Sequence, residues 1–126
     1  MYLDTDVLYA LIKEKDFNKE YAEKAVAEKG PKYTSTITLV ELEIVIKREL
    51  GDGLSLSTAA LVEKAVPKIR LLDFTARQFE KSLLLREKHG LGIFDAFHAA
   101  VCLDKKLEMA PTDAAYGRVP GIRRVK

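Results

Sequence analysis

Cys102 is the chain's one cysteine, so no intrachain disulfide forms and a cysteine-rich zinc site is excluded. Tryptophan is absent. Asparagine and glutamine occur once each, as Asn18 and Gln78, while 32% of the residues are charged. A bias away from thermolabile amides and toward ion-pairing groups points to a hot-living source. Apolar stretches stay far short of a membrane span, and no basic-then-apolar leader precedes Tyr2, so neither membrane insertion nor export is expected. Glycine patterns of the dinucleotide or P-loop type are missing. The 21 basic and 19 acidic residues leave a net charge of +2, which excludes a histone-like polybasic binder. What is present fits one globular domain over residues 1–126, 48% hydrophobic and expected in the cytoplasm.

The charge is unevenly spread. Residues 1–63 carry a net −4 and residues 64–126 a net +6. Beyond Asp113 the chain has no acid, but it has Arg118, Arg123, Arg124 and Lys126. Such a tail is either a solvated surface or a basic rim that attracts a polyanion.

Periodicity predicts alternating strands and helices. Residues 1–3 read as a strand that meets Asp4, and Val7, Leu8, Leu11 and Ile12 then follow the helical period. A second helix is predicted over 18–29, stopped by Gly30 and Pro31. Residues 32–36 are β-prone. Leu39, Leu42, Ile46 and Leu50 mark a third helix closed by Gly51, and 55–66 a fourth, with Pro67 at its end. Residues 69–72 read as a strand, Thr75 as the cap of a helix over 76–89, and 93–105 as a strongly apolar helix. Short strands are expected at 107–110 and 122–125. This alternation implies an α/β fold with a parallel sheet covered on both faces, whose ligands bind beyond the carboxyl ends of the strands.

Four carboxylates fall at that edge. Asp4 ends the first strand and doubles as a helix N-cap; Glu41 follows Thr38 at capping-box spacing; Asp95 opens the apolar helix; Asp113 lies in the turn after the strand at 107–110. Each has a structural explanation singly. Together they would repel one another or stay protonated unless a cation joins them. Asp95, on a helix apolar nearly all round, is expected to be part-buried, where an unpaired charge costs several kcal/mol. Oxygen-only ligands suit Mg²⁺ or Mn²⁺ rather than zinc, and that chemistry suits attack of activated water on a phosphodiester.

Four segments carry a resemblance to a known family: residues 2–8 (YLDTDVL), 38–42 (TLVEL), 94–100 (FDAFHAA), and 111–113 (PTD) through 119–122 (VPGI). In this order and spacing the chain resembles the PIN-domain family, and within it the VapC-type toxins of toxin–antitoxin pairs. The resemblance implies a three-layer α/β/α sandwich and metal-dependent ribonuclease activity in the cytoplasm. It also implies an RNA substrate, an antitoxin partner and a homodimer. By position it makes Asp4, Glu41 and Asp95 the core acidic metal ligands and catalytic residues, with Asp113 the fourth. Thr5 matches the small hydroxyl residue after the first acid, Asp6 a position commonly Asn, Ser or Asp, and Thr112 the hydroxyl residue beside the last acid. Thr5, Asp6, Thr112 and the basic Arg118 are thus the expected substrate-side residues. The chain departs from the family after Asp113, where Ala114, Ala115 and Tyr116 keep an aromatic but lose a second acid, which bears on a second metal ion.

Other constellations compete. Asp4 and Asp6 are spaced like the nucleophile and acid/base of haloacid-dehalogenase-type phosphatases. His98 and Cys102 stand one turn apart and form half of a metal site, against a packed core histidine. The five tyrosines are base-stacking platforms or half-buried anchors. A non-catalytic PIN-like interaction module is the remaining alternative.

Overall fold

The computed structural model describes residues 1–13, 19–52, 57–110 and 119–122. Its elements are α1 (Thr5–Ile12), α2 (Lys19–Ala27), β1 (Tyr33–Ser35), α3 (Thr36–Leu50), α4 (Thr58–Ala65), β2 (Arg70–Leu72), α5 (Ala76–His89) and α6 (Ile93–Lys105).

β1 and β2 pair in parallel, Tyr33 opposite Arg70 and Ser35 opposite Leu72. Two further rows join through single parallel bridges, Tyr2 to Tyr33 and Tyr2 to Met109. The amides of Tyr2 and Ala110 close the outer pair, donating to the carbonyls of Glu108 at 2.7 Å and Tyr2 at 2.9 Å. The order across the sheet is therefore Met109, Tyr2, β1, β2. The chain moves outward from the Tyr2 row in one direction and returns on its other side, so a topological switch point lies beside residues 2–4.

Side chains alternate across a strand, and the burial shows it. Tyr2 and Met109 enter a core with Leu85, Leu91, Ala96, Ala99, Ala100 and Val101, under α5 and α6. Their neighbours Leu3 and Ala110 enter a second core with Val7, Leu8, Leu42, Ile46 and Val62, under α1, α3 and α4. Two apolar cores on opposite faces of one parallel sheet make the α/β/α arrangement expected from the sequence. Among the described residues no helix is long and apolar enough to cross a membrane.

α5 and α6 follow their sequence signals closely. Thr75 caps α5 in a full capping box, its hydroxyl accepting from the Gln78 amide while the Gln78 side chain accepts from Thr75 N. Gly90 ends α5 at φ 64°, a left-handed backbone that glycine adopts without a Cβ penalty. Phe74, Phe79 and Phe94 surround Phe97 at 5.1, 6.0 and 5.5 Å between ring centroids, bracing the first half of α6.

Two expectations are corrected. Thr36 begins α3 rather than ending a strand, and Ser35 occupies the N-cap position. Thr38 with Glu41 is accordingly no capping box: Thr38 is inside the helix, fully buried, and bonded to the Tyr2 hydroxyl at 3.0 Å. The strand expected at 122–125 lies outside the described residues except for Ile122, which is not in a strand.

Candidate functional site

The carboxyl edge of the sheet is where the first strand row runs into α1, where β1 runs directly into α3, and where α6 begins. α6 leads into the Met109 row, so it runs antiparallel to the strands and brings its N-terminus to that same edge.

Asp4 is the N-cap of α1. Its carboxylate accepts from the Val7 amide at 3.4 Å, and the residue is 97% buried. Burial near the macrodipole's positive end suits an anion. Thr5, also buried, donates from its hydroxyl to Glu41 Oε1. Asp6 is exposed on the first turn of α1.

Glu41 lies a turn and a half into α3. Its Oε1 receives the Thr5 hydroxyl and lies 2.8 Å from His98 Nε2. Among the described residues no bond is made to its Oε2, and the side chain is 23% exposed. Burial pushes the Glu41 carboxyl up, but the bonds from His98 and Thr5 outweigh it and hold the group below the ordinary glutamate value.

His98 is buried at the meeting point of three elements. Nδ1 lies 2.7 Å from the Tyr2 hydroxyl, and Nε2 faces Glu41 Oε1, with the Thr5 hydroxyl at 3.3 Å. The Tyr2 oxygen also meets Ser35 Oγ and Thr38 Oγ1, each at 3.0 Å. With a neutral imidazole, one proton assignment satisfies the whole set. A carboxylate only accepts, so Nε2–H donates to Glu41 and Nδ1 accepts from Tyr2. Burial raises the Tyr2 phenol far above its usual value, which keeps that donor protonated.

Asp95, His98 and Cys102 are three and then four residues apart, hence on one stripe of α6. His98 on that stripe touches Tyr2 and Glu41, and Cys102 feels the Asp4 charge, so the stripe faces the carboxylates. Asp95 is the member nearest the helix start and is half-buried, as expected. Its Oδ2 would lie 3.8 Å from a Cβ added at the N-cap Gly92, placing it over the first turn. Asp113, Thr112 and Arg118 lie outside the described residues.

The His98–Cys102 metal pair does not survive this geometry. Both ring nitrogens of His98 are taken by hydrogen bonds, and burial together with the Asp4 charge pushes the Cys102 thiol up, away from thiolate. The other ligand-type side chains described at the edge, Asp4, Glu41 and Asp95, are carboxylates. That donor chemistry fits a hard divalent cation such as Mg²⁺ or Mn²⁺. Among the described residues, no three His, Cys, Asp or Glu side chains stand together as a ready cage.

A PIN-domain family model matches residues 1–122. The chain belongs to the PIN-domain family. Similar solved structures include the sarcin–ricin-loop-cleaving toxin VapC20 of Mycobacterium tuberculosis, 23% identical with a TM-score of 0.78 and 92% of each chain covered. A toxin–antitoxin complex from Klebsiella pneumoniae is 20% identical, with a TM-score of 0.70 over 96% of this chain and 93% of the other. VapBC2 of Rickettsia felis, bound to a promoter DNA fragment, is 15% identical, with a TM-score of 0.74 over 98% and 96%. At these identities the structures show a shared fold. No curated protein matches the chain by sequence. PIN-domain membership disposes of the haloacid-dehalogenase alternative for Asp4 and Asp6.

The network around His98 escaped the sequence reading, which weighed only half of a metal site against a packed core histidine. The signal available was Glu41 and His98 falling within two of the four family-like segments, but nothing local joins them.

Proposed function

We propose that this chain is a divalent-metal-dependent endoribonuclease and the toxin of a toxin–antitoxin pair. The observation that carries the proposal is a buried Asp4 at the carboxyl edge of a PIN-fold sheet, with its neighbour Thr5 bonded to the Glu41 carboxylate and one Glu41 oxygen committed to protein donors. Asp4, Glu41 and Asp95 are the residues to hold Mg²⁺ or Mn²⁺, with Asp113 added from its place in the sequence. Such an ion, when bound, supplies charge neutralisation for a phosphodiester and activates water toward it.

The chain's own groups have separate tasks. Asp4 presents a carboxylate already desolvated and oriented by the α1 N-terminus. Thr5 and His98 hold Glu41 ionised and fixed. Asp6, exposed beside them, and Thr112 serve on the substrate side. Arg118, Arg123 and Arg124 supply attraction for a polyanion that four carboxylates would otherwise repel. An RNA substrate places the protein in the cytoplasm. An antitoxin and a second copy of the chain are its proposed partners; exposed Val40 and Ile44 on α3 and Phe79, Leu83 and Leu84 on α5 are apolar surface of the kind partners cover.

The test is cleavage of RNA by purified protein with Mg²⁺, Mn²⁺ or EDTA, beside Asp4→Asn. Cleavage that needs metal and is lost in the variant supports the reading. Folded protein that leaves RNA intact with either ion, yet binds a partner, would make it a non-catalytic PIN-like module.

A further inference from the structure

We propose that Tyr2 and His98 form a positioning pair that fixes the Glu41 carboxylate, saturating Oε1 and reserving Oε2 for a hard divalent cation. The inference rests on the metal-dependent reading above and assigns a task to two residues outside the acidic set.

Three observations carry it. First, with a neutral imidazole the hydrogen bonds can all run toward the carboxylate. Ser35 and Thr38 hydroxyls, each 3.0 Å from the Tyr2 oxygen, can donate to it, leaving the Tyr2 proton for His98 Nδ1 at 2.7 Å. With Nδ1 accepting, Nε2 must carry the ring proton, and it points at Glu41 Oε1. Glu41, which can only accept, therefore fixes the imidazole tautomer, and Tyr2 supports it by donating to Nδ1. The opposite tautomer would set a nitrogen lone pair against a carboxylate oxygen.

Second, the two oxygens of Glu41 are unequal. Oε1 takes both the His98 and Thr5 donors, and among the described residues Oε2 takes none. A carboxylate held at one oxygen by two donors loses rotational freedom and offers the other oxygen in a set place. Outer hydrogen bonds of this kind orient ligating carboxylates and typically carry about 10–100-fold in metal affinity or activity.

Third, the pair is braced from both sides. Tyr2 and His98 are each at least 99% buried, and their rings lie 5.7 Å apart between centroids. Tyr2 sits in the central row of the sheet, bridged to Tyr33 and Met109. A histidine serving packing alone would need neither a matched donor on one nitrogen nor a carboxylate on the other.

The test reads Mn²⁺ affinity by electron paramagnetic resonance on protein shown to be folded by circular dichroism. The variants are His98→Leu, Tyr2→Phe and His98→Gln. Tyr2→Phe keeps the ring and removes only the hydroxyl. The amide of His98→Gln can accept from Tyr2 and donate to Glu41. Affinity is expected to fall about tenfold or more in His98→Leu and several-fold in Tyr2→Phe, and to be largely restored in His98→Gln. RNA cleavage by Tyr2→Phe should recover when Mn²⁺ is raised. Wild-type protein that binds Mn²⁺ while both Tyr2→Phe and His98→Leu bind it within twofold as well would overturn the positioning role and leave the nuclease reading standing. Wild-type protein that binds no Mn²⁺ would overturn both. Should His98→Leu fail to fold, Tyr2→Phe and His98→Gln decide between these outcomes.

Discussion

Thr5 and Glu41, 36 residues apart in the chain, are joined by a hydrogen bond from the threonine hydroxyl to the glutamate Oε1. The bond ties the first turn of α1 to α3 across the carboxyl edge of the sheet. It also gives the threonine beside the first acid a definite task, that of holding the second acid.

Replacing Thr5 should show this. Thr5→Val keeps the volume and the β-branch but removes the donor, leaving Glu41 with His98 alone. RNA cleavage should fall about tenfold, the low end for loss of an outer hydrogen bond to a metal-ligating carboxylate. Thr5→Ser, which keeps the hydroxyl, should stay within about threefold of wild type on the same scale. Equal activity in Thr5→Val and wild type would make the bond incidental. Stability should drop by about 1–2 kcal/mol in Thr5→Val, read from urea unfolding, because a bond to a charged acceptor is lost.

Asp4 combines two roles that substitution can separate. Asp4→Asn keeps an oxygen for the Val7 amide but removes a buried negative charge; Asp4→Ala removes both. In EDTA, Asp4→Asn should melt at or above the wild-type temperature, as active-site residues often exchange stability for function. Asp4→Ala should be about 1 kcal/mol less stable than Asp4→Asn, the usual worth of an N-cap. Mg²⁺ should raise the melting temperature of wild type, and that shift should vanish in both variants. A drop of several degrees in Asp4→Asn without metal would show that the charge itself is structural.

The basic tail makes a separate prediction from sequence alone. Replacing Arg118 by Ala should weaken RNA binding alike for different sequences, since phosphate contacts position without reading bases. The slope of log affinity against log salt should flatten by roughly 0.7 for one lost single-strand phosphate contact. An unchanged affinity and salt slope in the triple Arg118, Arg123 and Arg124 to alanine variant would remove the tail from RNA binding.

Much of the fold was legible because its signals are local. Thr75 and Gly90 bound α5 where cap chemistry puts them, and the apolar periodicity from Ile93 delimits α6. β1 and β2, three residues each, fall within the predicted runs 32–36 and 69–72, which Gly30, Pro31 and Asp73 bracket. The misreading at Thr38 has a simple cause. A spacing of three residues describes both a capping box and two side chains on one helix face, and only tertiary contact tells them apart. Here Tyr2 claims Thr38, and Thr5 and His98 claim Glu41. The Tyr2–His98 pair was illegible for the same reason: its residues are 96 apart, and no local pattern marks a non-local bond.

Cys102 should be unreactive in the folded protein. Burial, with the Asp4 charge adding to it, pushes the thiol up from its ordinary value. The raised group favours the neutral thiol, so its contribution to stability is complete below the unfolded pKa of about 8.5 and is lost as pH rises beyond it. At about pH 9, where an unfolded cysteine is largely thiolate, a maleimide should label urea-unfolded protein at once and native protein only as fast as it opens. Between about pH 8 and 10, wild type should lose more stability than Cys102→Ala, by at most about 1.4 kcal/mol per pH unit. Rapid native labelling would mean that α6 opens locally at this turn.

Gln78 is the single glutamine of an amide-poor chain, and its contacts explain why an amide stands there. Its side-chain oxygen accepts from the Thr75 amide at 3.0 Å and its nitrogen donates to Asp104 Oδ2 at 2.9 Å, with the residue 99% buried. One group thus completes the α5 cap and ties α5 to α6, the helix that carries Asp95 and His98. A glutamate would serve the cap but would set one carboxylate against another. Gln78→Ala should cost about 2–3 kcal/mol, since it removes two hydrogen bonds, one of them to the charged Asp104 carboxylate, whereas Thr75→Ala should cost about 1 kcal/mol as a lost cap. Gln78→Glu should be destabilised near neutral pH and regain stability relative to wild type as pH falls below about 4, where the two carboxyls can share a proton. Urea unfolding across pH checks all three. A double-mutant cycle with Asp104→Ala should return a coupling of about 1 kcal/mol or more; a coupling near zero would mean that Gln78 acts through the cap alone.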